Sequence, residues 1–214
     1  PDYRNGIVDD PLAMKMAEPM IMTTATWEDT SLEAVYKPML IPMVVATDPD
    51  SRWLIPSPPV SAPTAQDLAT LSHSQYGARL TSILGPADVG LIYWNGFYNQ
   101  PAFDLTAYNP MTSDFDITLS FTRAHLFGTE ATLVAGPLTL MLEGGFWLSE
   151  DRAGTDPAKY NNKFVYLAGV GFMIPKTSAY VSLTYNGHYV MDFNAANSID
   201  TDTIQANNSS NEKA

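Results

Sequence analysis

Long segments in which apolar side chains occupy every second position constrain the fold of this chain more than any other feature. From Leu138 to Ser149, leucines and a phenylalanine alternate with threonine, methionine, glutamate and tryptophan. The segment from Ser178 to Val190 alternates in the same way, and Lys163 to Met173 alternates with a second face that is mostly small. Because successive side chains of a strand point to opposite faces of a sheet, this pattern predicts strands with one apolar face.

The same pattern recurs upstream in segments bounded by glycine, proline and acidic residues. These segments are Met20 to Trp27, Ser31 to Met39, Tyr76 to Leu84, Asp88 to Phe97, and one long stretch from Asp114 to Ala135 that would project beyond a bilayer. Together with the three segments above they predict about eight strands and an all-β fold.

The connections between these segments alternate between short and long. The short ones are Glu28 to Thr30, Gly85-Pro86, Gly136-Pro137 and Pro175 to Thr177, and the long ones are 40–72, 99–113 and 150–162. Outer-membrane barrels have short turns at one end and long external loops at the other, whereas a soluble sandwich has no reason to separate them. The sequence therefore predicts an antiparallel transmembrane β-barrel over residues 1–193, followed by a polar loop or disordered tail over 194–214.

Composition excludes several classes of protein. The formal net charge of −12 and only 11 Lys and Arg residues argue against a nucleic-acid partner, which needs clustered cations. The chain has no cysteine, so disulfides and thiolate sites are excluded. The sequence contains no run of about eighteen apolar residues, so it predicts no membrane-spanning helix.

No pattern predicts catalysis. The histidines His73, His125 and His188 lie far apart in the sequence, without the spacing of a metal site. No nucleophile elbow, phosphate-binding loop or dinucleotide fingerprint occurs. We expect neither an enzyme, nor a cofactor, nor a bound metal.

The candidate functional residues are charges on the mixed faces of the strands, which would line a barrel lumen. They are Glu33, Lys37, Arg79, Asp88, Glu130 and Glu143, with Asp116 on the long stretch. Counting outward from the turn at Gly136-Pro137 makes Glu130 and Glu143 neighbours on the inner wall. In a wet lumen paired acids favour cations. Ion pairs with Arg79 or Lys37 that only neutralise buried charge are an equally good interpretation.

Aromatic residues near the strand ends are candidates for the girdles that outer-membrane barrels place at the lipid–water interfaces. They are Trp27, Tyr36, Tyr93, Phe97, Phe146, Tyr166, Tyr185 and Tyr189. The alternative is that they are ordinary strand formers that pack a core.

Several short stretches carry a resemblance to a known family: Pro1 to Asn5, Val8 to Asp10, Lys15 to Met20, Leu32 to Tyr36, the proline-rich loop around Trp53, and Ser74 to Leu80. They resemble large Gram-negative outer-membrane β-barrels of unknown function that are grouped with alginate-export-like porins. The resemblance implies a barrel longer than this chain, with further strands on both sides and lipopolysaccharide and outer-membrane lipid around it. Alginate exporters have an Arg-rich lumen, and the mainly acidic inward charges depart from that.

Three functions remain open from the sequence. The first is an outer-membrane channel, porin-like, that passes solutes. The second is an outer-membrane scaffold, or a component that moves lipids or hydrophobic compounds in an envelope assembly with protein partners. The third is a soluble β-sandwich binding module, which would pack its apolar faces on each other.

Overall fold

The computed structural model describes residues 18–41, 60–61, 65–98, 101–109, 114–177, 179–192 and 201–202. Eleven strands lie in these residues, and we number them in chain order. They are β1 (Ile21–Trp27), β2 (Thr30–Lys37), β3 (Val60–Ser61), β4 (Gln75–Leu84), β5 (Ala87–Phe97), β6 (Ala102–Asn109), β7 (Asp114–Ser120), β8 (Arg123–Ala135), β9 (Leu138–Ser149), β10 (Lys163–Met173) and β11 (Tyr180–Val190).

Eight of the strands form one antiparallel sheet, in the order β1-β2-β4-β5-β8-β9-β10-β11. Neighbours in this sheet follow one another along the chain except where a long connection intervenes, as in an up-and-down meander. β1 and β11 lie at the two edges and do not pair with each other within the described residues, so the sheet is open. The predicted all-β antiparallel architecture is confirmed, and closure into a barrel is not seen.

Tight turns join the strands at one end of the sheet, which we call the turn end. β1 and β2 are joined by Glu28-Asp29, β4 and β5 by Gly85-Pro86, and β8 and β9 by Gly136-Pro137. Gly85 and Gly136 have φ angles of +63° and +61°, the conformation that a two-residue hairpin turn requires at its first position. The long connections gather at the opposite end, which we call the loop end.

One predicted strand is wrong. The stretch from Asp114 to Ala135 is two strands, β7 and β8, separated at Phe121-Thr122. β7 leaves the main sheet and forms a three-stranded sheet with β3 and β6, so Asp116 is not on the main wall. β6 also occupies most of 99–113, which was predicted to be a loop. Apolar alternation alone does not reveal which sheet a strand joins.

The rest of the loop end is irregular but packed. A one-turn helix, Ala65–Leu68, lies within the predicted long connection 40–72, and a 3-10 turn follows at Leu71–His73. Leu40, Leu68 and Phe97 form one buried cluster, and Tyr98, Ala102, Ala124 and Tyr160 form another. No helix in the described part of the chain is long and apolar enough to cross a bilayer. The predicted tail, 194–214, lies outside the described residues except for 201–202.

Candidate functional site

The strand register assigns every side chain of the main sheet to one of two faces. Paired residues share a face, and one row runs from Ser31 through Thr81, Gly90, Glu130 and Glu143 to Leu167 and Asn186. All but one of the formally charged residues of the sheet lie on this face, which we call the charged face. They are Glu33, Lys37, Arg79, Asp88, Glu130, Glu143 and Lys163.

The opposite face, which we call the apolar face, exposes large hydrophobic side chains over most of its area. Leu91 is 61% exposed, Leu142 is 59% exposed and Leu183 is 73% exposed, on three different strands. Its one formal charge is Arg123, at the loop end of β8. Within the described residues no second sheet covers this face. The charged face, by contrast, exposes large hydrophobics mainly at its edge and turn end, at Met22, Ile83, Val134, Met173 and Tyr180.

Aromatic residues of five neighbouring strands form one continuous row on the apolar face. The row is Tyr93, Phe127, Phe146, Phe164 and Tyr189, each paired with the next. It includes three of the girdle candidates. Phe127 was missed by the sequence reasoning, although it alternates with charged-face residues in β8.

The other girdle candidates lie at different levels of the sheet. Tyr166 and Tyr185 contact each other below the row, with ring centroids 5.8 Å apart. Trp27 is at the turn end, and Tyr36 pairs with Tyr76 above the row. Phe97 is only 7% exposed and packs in the cluster with Leu40 and Leu68.

Above the aromatic row the apolar face becomes polar. Arg123 donates through Nη1 to Asn95 Oδ1 at 2.5 Å, and through Nη2 to the backbone oxygens of Ser72 at 2.6 Å and Ser74 at 3.1 Å. His125 Nδ1 lies 3.0 Å from both Asn95 Nδ2 and the Tyr93 hydroxyl. The aromatic row therefore separates a hydrogen-bonded zone at the loop end from the hydrocarbon surface below it.

Arg79 connects three strands on the charged face. Its Nε and Nη2 donate to Glu130 Oε1 at 2.9 Å and 2.5 Å, and Nη1 lies 3.6 Å from Glu33 Oε2. Glu130 reaches Arg79 across β5, where Gly90 lies between them. A Cβ atom at Gly90 would come within 2.5–2.9 Å of the Glu130 side chain. The glycine thus leaves the path for the Arg79–Glu130 ion pair, which is one of the two pairings that the sequence left open.

Glu130 and Glu143 are direct neighbours across β8 and β9, as predicted from the turn. Arg79 draws the Glu130 carboxylate toward β4, and no cation of the described residues forms an ion pair with Glu143. Both glutamates line a groove of 530 Å³ that opens near the turn end, together with Asp88, Arg79 and the hydroxyls of Ser31 and Thr81. This groove is predominantly acidic.

Lys37, the second predicted cation, is at the loop end of the charged face and is not near these acids. It forms an ion pair with Glu18, and its Nζ lies 5.5 Å from the centre of the Trp94 ring. The Trp94 ring in turn covers Gly77 and Gly96. Of the two proposed partners for the glutamates, the structure brings Arg79 to Glu130 and places Lys37 elsewhere.

A second groove, of 470 Å³, lies on the charged face between the acids and the loop end. Its floor contains Gly128 and Gly145, which pair directly across β8 and β9, and its walls include Ile92 and Val165. Glu143 lies at one end and Lys163 with His188 at the other.

Loops cover the loop end of the charged face. The Tyr98 ring stacks on Trp147 with centroids 5.0 Å apart, and its hydroxyl donates to the Asn161 oxygen at 3.2 Å. The Tyr160 hydroxyl donates to the Pro101 oxygen at 3.1 Å, and its backbone N–H donates to Thr122 Oγ1 at 3.2 Å.

Burial of these two phenols changes their acidity. It raises the pKa of Tyr98 and of Tyr160 well above the usual range, and the nearby charge of Asp202 raises both further. Both phenols are therefore neutral, packed elements of the covering loops.

Neither the described geometry nor known proteins point to a specific chemistry. No group of three or more His, Asp or Glu side chains in the described residues is arranged to hold a metal. Comparison with protein-family models, curated sequences and solved structures finds no match. The resemblance noted from the sequence therefore stays an expectation.

Proposed function

We propose that this chain forms part of the wall of an outer-membrane β-barrel that passes solutes, with the apolar face toward lipid and the charged face toward a water-filled lumen. The single observation that carries the proposal is the separation of the two faces. Lipid-facing and lumen-facing residues alternate along transmembrane strands, so such a wall exposes a continuous hydrocarbon surface and keeps its charges on the other side.

The size of the apolar surface supports this proposal. The strands from β4 onward in the main sheet contain 10 to 13 residues each, and a tilted transmembrane strand needs about 9–11. From the aromatic row at Phe127 to the turn end at Ala135 the strand runs about 27 Å, at a rise of about 3.4 Å per residue. With the tilt of about 35–45° that such strands have, this length spans about 20 Å along the bilayer normal, which is most of the apolar band of about 25 Å in outer-membrane barrels.

The distribution of glycine also supports a curved sheet with the charged face on its concave side. Most glycines within the main-sheet strands lie on that face: Gly77, Gly90, Gly96, Gly128, Gly145, Gly169 and Gly171. A sheet that curves into a barrel crowds its inner face, where small residues relieve the crowding. The soluble sandwich is disfavoured, because it needs an apolar face covered by another sheet.

In this proposal the aromatic row lies at one lipid–water interface and the loop end projects beyond it. The partners are then outer-membrane lipids and lipopolysaccharide, and the acidic wall of the larger groove favours cations over anions in the lumen. Closure of the barrel requires pairing at the two open edges, β1 and β11.

The covered loop end favours a second candidate, a plugged barrel that acts as a scaffold or moves hydrophobic compounds for envelope partners. Tyr98, Tyr160 and Trp147 lie over the charged face where a channel would open. A wall whose mouth is closed by packed loops would not conduct steadily.

Two measurements test the proposal. A folded outer-membrane barrel should fractionate with membranes and migrate faster in denaturing gels before heating than after it. Steady current steps in planar bilayers should then identify an open channel, whereas a folded barrel without steps supports the scaffold. Recovery in the soluble fraction with no heat-modifiable migration contradicts both.

A further inference from the structure

The second groove on the charged face has opposite charges at its two ends and an apolar floor. Lys163 pairs with Trp147, which lies four residues after Glu143 in β9. At a rise of about 3.4 Å per residue, the backbones of Glu143 and Lys163 are therefore about 14 Å apart along the strand direction. Between them, the paired glycines Gly128 and Gly145 leave the floor low, and the groove measures 470 Å³. This volume is within the range of about 300–1,000 Å³ that small-molecule sites occupy.

Both charged ends lack an ion-pair partner in the described part of the chain. Glu130 is held by Arg79, which leaves Glu143 as the acid available to the groove. The Lys163 Nζ lies 4.8 Å from the centre of the Tyr98 ring, and Asp202 is close enough to act on it electrostatically.

His188 stands beside Lys163, on the row that also holds Val165 and Gly145. Its imidazole forms no hydrogen bond with the described residues, so it can donate to or accept from a ligand.

We propose that this groove binds a short zwitterionic solute with an apolar middle, its ammonium at Glu143 and its carboxylate at Lys163 and His188. An extended tripeptide is of suitable length, because its termini are about 10 Å apart and the two protein side chains span the rest. Apolar side chains of the solute would rest on the glycine floor, against Ile92 and Val165. The proposal deepens the proposed function by naming a substrate class. It rests on the proposed function, because a solute reaches the groove only if the charged face meets water.

Isothermal titration calorimetry of the full chain in detergent, with trialanine as the probe, tests the binding. Trialanine is water-soluble, so it does not enter the micelle. We expect saturable binding that is about tenfold weaker for N-acetyl-trialanine, which lacks the ammonium, and for trialanine amide, which lacks the carboxylate. Equal heats from all three peptides, or none from any, overturn the proposal.

Two variants locate the site. Glu143→Gln should weaken trialanine binding about tenfold and remove the advantage over the acetylated peptide, and Lys163→Met should remove the advantage over the amide. Asp88→Asn is the matched control, because Asp88 is on the same face but lines only the larger groove. If Asp88→Asn weakens trialanine binding as much as Glu143→Gln does, the overall negative charge of the face accounts for the effect and the proposal is contradicted.

Conductance separates this proposal from the proposed function. Binding of trialanine without current steps supports the binding site in the groove and contradicts the channel. Current steps without peptide binding support the channel and contradict the binding site.

Discussion

At the scale of single residues, the most informative position is a glycine. Gly90 allows Glu130 to lie across β5 and reach Arg79 on β4. Gly90→Ala should push the Glu130 side chain away and weaken this pair, at a cost of at most about 1 kcal/mol in unfolding free energy because the charges are partly exposed. The measurement is the unfolding midpoint in detergent.

Gly144→Ala is the control for Gly90→Ala, because a Cβ atom there meets its neighbours at an ordinary 3.8 Å. In a Glu130→Ala background Gly90→Ala should lose its effect, since the clashing carboxylate is gone. A cost that persists in this background means that the glycine is needed for backbone reasons alone.

Buried phenols predict an alkaline transition. Burial raises the pKa of Tyr98 and Tyr160 in the folded protein, and the unfolded value is about 10. Their contribution to stability is thus fully present below about pH 10 and is lost as the pH rises above that value.

Absorbance at 295 nm during a pH titration should show these two phenols ionising last, together with loss of the folded state. Tyr98→Phe and Tyr160→Phe should each remove part of this late phase. Two tyrosines that ionise together with the exposed ones would mean that the loops are open to water.

The acids show what residue-level reasoning from sequence can reach. Glu130 and Glu143 were predicted to be neighbours because a tight turn fixes the register of a hairpin. The contact of Arg79 with Glu130 was only one of two alternatives, since it spans β5 and depends on a side-chain path over Gly90. Lys163, now central to the second groove, was missed because it is the first residue of its strand.

At the scale of elements, the alternation of apolar and polar residues identified the strands but not the sheet that each strand joins. The predicted bounds of β9 and β10 are those of the structure, because each has an unbroken alternation and clear turn residues. β7 and β8 were merged because Phe121-Thr122 contains no glycine or proline to mark the break. The strand β6 was missed because the proline-flanked segment 99–113 resembles a loop.

The covering loops carry an element-scale prediction. Tyr160→Ala removes a ring that packs on Tyr98 at 4.9 Å and the hydroxyl bond to Pro101. The loops should loosen over the charged face, so single-channel conductance in planar bilayers should rise. Tyr185→Ala, on the apolar face, is the control and should leave conductance unchanged; equal conductance in both variants contradicts a blocking role for the loops.

At the scale of the whole molecule, the orientation of the two faces decides between a membrane wall and a soluble sheet. Leu142 and Met141 are adjacent residues of β9 that point to opposite faces, and Leu142 is 59% exposed. If the apolar face meets lipid, Leu142→Lys should cost about 2–4 kcal/mol in folding into vesicles, because a lysine near the bilayer midplane is poorly solvated. Met141→Lys places the same charge beside Glu143 on the charged face and should cost much less.

A membrane wall and a soluble sheet are separated by whether Leu142→Lys costs more folding free energy than Met141→Lys. Denaturant titration of folding into lipid vesicles measures both variants in the same bilayer. For a sheet exposed to water on both faces, Leu142→Lys replaces an exposed leucine with a solvated charge and should be harmless, since surface substitutions usually change stability by about 0.5 kcal/mol or less. A harmless Leu142→Lys would therefore remove the membrane from the proposed function, because a lysine in contact with lipid at this position should be costly.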